Sequence, residues 1–165
     1  MSKNKAQNPF LGPIKDARGR QHRHETNYHR GRHRTVMLPS RIAAFQLNNQ
    51  STFTYADFDP TVYMSEAVYG GTGQISDDAF ALILLVCIRD DASATTAAYG
   101  ELREKGVTNP SMYVNAGHIN NSFVCQQGVV GLQESTKRFQ YQLTASGGGT
   151  ADLHVHIVGY IEQIS

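Results

Sequence analysis

The sequence predicts an all-β protein: a single antiparallel β-sandwich with a disordered basic N-terminal arm and one short helix. Three observations predict it. Short β-prone segments recur at roughly ten-residue spacing after Pro110, separated by Gly, Asn and Ser. Phe80–Ile88 is apolar on both alternating faces, as a strand inside a two-layer core is. The composition changes abruptly near Thr35, from polar and cationic to strand-forming. At 165 residues the chain holds one domain and an appendage.

From Met1 to Arg34 the apolar residues are sparse and unpatterned, too few to offset the entropy of ordering. Residues 1–34 therefore form the arm and 35–165 the sandwich. Within the arm only Phe10, Leu11 and Ile14 stand together, between prolines that forbid a regular helix. Val36–Leu38 and Arg41–Leu47 are apolar without a sustained helical repeat, and Asn48–Gln50 breaks the chain. Ser51–Tyr55 alternates as a strand does, and Thr61–Met64 and Ala67–Tyr69 read as further strand pieces. Gly70–Gly73 is a turn.

The helix is expected over Ala92–Lys105. Ser93 or Thr95 can cap it, Ala97, Ala98 and Leu102 favour it, and Gly106 sits where a C-terminal glycine should. Beyond it, Met112–Val114, Ser122–Cys125, Val129–Leu132, Arg138–Leu143 and Leu153–Ile161 are five strands, the last two forming a hairpin around Ser146–Gly149.

The net charge of +1 conceals two opposed halves. Residues 1–41 carry ten Lys and Arg against two acids, a net +8, and residues 42–165 carry five against twelve, a net −7. Such asymmetry describes a basic tail that meets a polyanion and a body that does not. The longest apolar run, Ala79–Ile88, is about half of what a bilayer span needs, so no membrane partner is expected. With only Cys87 and Cys125, a disulfide scaffold and a cysteine zinc finger are excluded.

The candidate nucleic-acid-binding residues are Lys3, Lys5, Lys15, Arg18, Arg20, Arg23, Arg30, Arg32 and Arg34, concentrated in an unstructured segment. Arginine forks match phosphate oxygens without reading bases, and each neutralised phosphate releases a counterion. His154 and His156 lie two apart, so strand alternation puts both imidazoles on one face, as a metal site requires. The run from Gly148 to His156 resembles the opening of a cupin metal motif. The carboxylate that should follow comes late, as Glu162, and no second motif follows. Asp57, Asp59, Asp77, Asp78, Asp90 and Asp91 are loop acids, and paired carboxylates donated by two subunits can hold calcium. Solubilising loop acids are the plainer reading, so no cofactor is expected, with calcium between subunits as the alternative. No G-x-S-x-G and no phosphate loop occur, so an enzyme is not expected.

A flexible Arg-rich arm followed by about 125 residues of short strands resembles the coat proteins of small icosahedral viruses, especially satellite viruses. The resemblance lies in layout and charge. It implies a jelly roll that builds a shell of 60 or more copies, with the arm packaging viral nucleic acid, RNA ahead of DNA. It implies a virion protein assembled inside the host cell. About 60 arms of this charge would balance roughly 500 phosphates, the order of a very small genome. The alternative is a trimeric virion decoration, cement or spike protein resembling the C1q and tumour-necrosis-factor jelly rolls. A third reading is a cupin-like metalloenzyme built on His154 and His156.

Overall fold

The computed structural model describes residues 32–91, 97–117, 121–147 and 149–164. The chain divides into a compact unit, Thr35–Glu162, and a second that takes in 1–34 and 163–165. Of the second, the described residues are 32–34 and 163–164, where the Ile164 amide donates to the Arg32 carbonyl at 3.1 Å.

Eight strands run in chain order: β1 (His33–Gln50), β2 (Phe53–Phe58), β3 (Ala79–Asp90), β4 (Tyr99–Glu104), β5 (Met112–Asn115), β6 (Val124–Gly131), β7 (Phe139–Thr144) and β8 (Ala151–Gln163). They form two four-stranded sheets, ordered β1-β8-β3-β6 and β2-β7-β4-β5. Except for the β4–β5 hairpin, consecutive strands alternate between the sheets, which makes the sandwich a jelly roll. The core lies between the sheets. Leu82, Leu84, Val86 and Ile88 of β3 and Leu153, Val155 and Ile157 of β8 face Leu102, Met112, Val114, Phe139 and Leu143 from β4, β5 and β7. Gly100 lets the layers approach there, because a Cβ on it would stand 3.1 Å from Leu153 Cδ1.

Strand β3 matches its expectation because its run is apolar on both faces, with β8 on one side and β6 on the other. The helix expected over Ala92–Lys105 is corrected: residues 92–96 lie outside the described set, and Tyr99–Glu104 is strand β4. Its helix formers are overridden by pairing, with Leu102 bonded between Tyr141 and Met112 and fully buried.

The helical turns fall where strand pieces were expected. Pro60–Tyr63 is a 3₁₀ turn opened by Asp59, whose carboxylate accepts from the Thr61 amide, with Pro60 supplying a fixed φ. Glu66–Tyr69 is helix α1, capped by Ser65 and ended by Gly70 at φ 71°.

Two expected strands, Ser122–Cys125 and Val129–Leu132, are one continuous β6. The β7–β8 hairpin is also corrected. Both strands alternate as expected, but β7 pairs with β2 and β4 while β8 pairs with β3, so the turn at Ser146 crosses from one sheet to the other. Cys87 and Cys125, directly opposite in the β3–β6 ladder, form a disulfide that the 38-residue spacing did not suggest.

Candidate functional site

Of the arm cations, Lys3, Lys5, Lys15, Arg18, Arg20, Arg23 and Arg30 lie outside the described residues. Arg32 and Arg34 are exposed, and Arg34 belongs to strand β1, which starts two residues before Thr35. The body presents the opposite situation. Each of the five Lys and Arg residues of 42–165 is engaged by its own chain, while Arg41, on β1, is exposed. Arg89 pairs with Asp91 and Asp152, Lys105 with Asp57, and Arg138 with Asp59. Arg103 bonds Gln140 and lies 3.4 Å over the Tyr55 ring, and the Lys137 ammonium donates to the Ala79 carbonyl at 2.9 Å.

The six acids expected in loops separate into distinct roles, with Asp57 on strand β2 and Asp90 closing β3 rather than in loops. Asp57 and Asp59 meet on Arg138, at 3.9 and 3.0 Å. Hydrogen bonds from Lys105 and Gln140 hold Asp57 below the usual carboxylate range. For Asp59 burial works in the other direction, but bonds from Thr61 and Arg138 outweigh it and keep that group low too. Asp77 accepts from the Ser65 amide at 2.9 Å, and the Asp78 amide donates to Ser76. Asp90 is buried and accepts from Ser146 at 2.7 Å. Burial, then the neighbouring Asp152 charge, push Asp91 up. Among the described residues no three His, Cys, Asp or Glu side chains are grouped so as to hold a metal.

The two histidines share a face, as alternation requires. In the β3–β8 ladder His154 stands opposite Cys87 and His156 opposite Leu85, on the outer side of the β1-β8-β3-β6 sheet. His154 Nε2 bonds Asn48 Oδ1 at 2.8 Å, and its ring lies 4.7 Å from the Phe123 ring, over which Arg89 also stands. His156 is buried, its Nδ1 has no hydrogen-bond partner among the described residues, and burial with the nearby Arg41 charge pushes its pKa down. The glutamate offered by the cupin comparison, Glu162, is itself buried and opposite Ala79, far along β8 from either imidazole.

Sequence reasoning passed over the polar network on the outer face of β2-β7-β4-β5. There the Glu101 carboxylate accepts from Tyr55 Oη at 2.7 Å and Gln142 Nε2 at 2.6 Å. Burial and the Glu101 bond push the Tyr55 phenol up to about 12. Tyr99 and Tyr113 stack beside them with centroids 5.2 Å apart. The alternation Tyr99, Glu101, Arg103 was the signal available, hidden by the helix-like composition around it. An open groove of about 450 Å³ lies between Glu104–Val107 and Gln133–Ser135. It offers the Glu104 and Glu134 carboxylates and Lys105, whose ammonium is already held by Asp57.

No family model matches the chain, and no curated protein does. Among solved structures it is similar to a chain in the structure of infectious bursal disease virus Gx strain, at 13% identity and a TM-score of 0.26, over 81% of this chain and 37% of that one. The chain thus spans little more than a third of the viral chain it matches, and the likeness is weak and partial.

Proposed function

We propose that this chain is a structural coat protein that assembles into a small icosahedral shell and packages nucleic acid on its N-terminal arm. The observation that carries the reading is the division of charge, a net +8 over residues 1–41 against −7 over 42–165. The engagement of all five cations of residues 42–165 within the chain sharpens it, because that stretch keeps no Lys or Arg in reserve for phosphates. A body of that sign repels a polyanion and leaves it to the arm. A jelly roll supplies what shell building needs, a rigid block with loops and edges facing several directions.

The test is electron microscopy of the purified protein with the 260/280 nm absorbance ratio taken on the same fractions. Uniform closed particles with nucleic-acid absorbance are expected, and discrete trimers free of nucleic acid would replace the coat reading with that of a decoration protein. Deleting residues 1–34 removes the nucleic acid and leaves the body folded. Replacing Arg30, Arg32 and Arg34 by Ala lowers the salt slope of binding by up to about three units, and an unchanged slope places the contacts elsewhere.

A further inference from the structure

The two sheets have four edge strands, and three of them carry a device that discourages pairing with another chain. Edge β1 contains Pro39 and the charges of Arg34 and Arg41. Edge β2 has a register shift between Phe53 and Ala56 and bears Asp57. Edge β5 is four residues long and follows Pro110. The fourth, β6, is eight residues long, without charge or proline. Its ladder with β3 runs unbroken from Ile88↔Val124 to Ala81↔Gly131. Among the described residues no strand lies on its other side.

We infer that β6 is an interface: the β6 edge of one copy pairs antiparallel with the β6 edge of a second copy across a two-fold axis at Gln127, joining two four-stranded sheets into one. This rests on the self-assembling coat reading above and names one of its contacts.

The ladder dictates the register. Cys87 and Cys125 stand opposite each other with Cα atoms 4.0 Å apart, the close spacing of a non-hydrogen-bonded pair. The backbone N–H and C=O of Cys125 therefore turn away from β3, and by alternation so do those of Gln127 and Val129. These are the groups a second strand would meet. Centring the pair on Gln127 sets Gln127 against Gln127 and Cys125 against Val129, all on hydrogen-bonding positions, for about six backbone bonds. The same register lays Val129, 45% exposed in the single chain, against the other copy's Cys87–Cys125 disulfide. An isologous contact needs a self-complementary surface, and an uncharged strand with outward amides meets itself without repulsion.

A charge swap tests it. Gln127 is exposed, so Gln127→Lys and Gln127→Glu keep the wild-type melting temperature. Each puts like charges directly opposite across the axis, and sedimentation velocity should show self-association weaker by about two- to fivefold for either variant alone. An equimolar mixture of the two restores it. Unchanged association in both single variants, or a mixture that stays dissociated, overturns the β6 pairing. Wild-type particle yield from Gln127→Lys sinks this contact while leaving the coat reading intact, whereas a wild-type chain that never associates and carries no nucleic acid sinks both.

Discussion

The two outer faces of the sandwich are built on opposite terms. On β2-β7-β4-β5 the outward side chains, most of them half-buried, bond one another: Tyr55 and Gln142 to Glu101, Arg103 to Gln140, and Gln140 and Lys105 to Asp57. On β1-β8-β3-β6 the outward positions include Ile83, Leu85, Val129, a disulfide, and a buried imidazole whose Nδ1 lacks a partner among the described residues. Met37, 55% exposed, and Ile83 close over Gly159, where no side chain would fit. The first face is knit by polar pairs within a single chain, and the second leaves Met37 and Val129 exposed. The same β-alternation thus yields a self-sufficient surface on one layer and an unfinished one on the other.

The largest expected effect comes from cutting the covalent tie that only the second face has. Replacing Cys87 and Cys125 together by Ala releases a 38-residue loop in the unfolded chain and should cost about 2–4 kcal/mol. Urea unfolding reads this as a lower midpoint with a steeper slope, since the unfolded chain without the cross-link exposes more surface. A loss below about 1 kcal/mol would mean that the β3–β6 ladder holds its edge without help, and the contrast between the faces would reduce to polarity alone.

How far the sequence discloses these two layers depends on whether a feature is local. Strand β3 is legible because Phe80–Ile88 is apolar on both faces and short, and the shared face of His154 and His156 follows from their spacing. The Tyr99–Glu104 strand is hidden, since Ala97, Ala98, Leu102 and Lys105 favour helix locally and only pairing with β5 and β7 overrules them. The β7–β8 turn looks like a hairpin because proximity in sequence usually means pairing, whereas in a jelly roll the partners of β8 are more than 60 residues away in β3. The caps at Asp59 and Ser65 were readable, and their message was masked by the β-branched and aromatic residues between them. The Cys87–Cys125 bond and the Glu101 network depend on register between distant strands, which no local pattern encodes.

A smaller effect probes the unfinished face by pH. The His156 pKa is lowered from its ordinary 6.5, so the fold favours the neutral imidazole. The stability this contributes is fully present above the unfolded value and is lost as pH falls through the folded one. Unfolding measured at pH 7.5 and again at 5.0 should show the wild type losing stability, and His156→Gln losing less, since an amide does not titrate. Equal losses in both proteins would assign the acid sensitivity to the other histidines.

The smallest effects are expected on the polar face, where the Glu101 and Asp57 carboxylates each have more than one partner. Tyr55→Phe removes one of the two hydrogen bonds on the Glu101 carboxylate and should cost about 0.5–1.5 kcal/mol. In an ultraviolet titration it should also remove the latest-ionising phenol, since Tyr55 is pushed up to about 12. Lys105→Ala should cost under about 1 kcal/mol and lose even that in high salt, because its bridge to Asp57 lies at the surface. Asp57 titrates below its ordinary 3.8, so the contribution of the bridge is present at neutral pH and fades only as acid carries the group through its folded value. If Lys105→Ala instead destabilised as much as the double cysteine variant, the polar face would be a cooperative brace rather than a set of separable bonds. The asymmetry between the two layers would then lie in chemistry and not in strength.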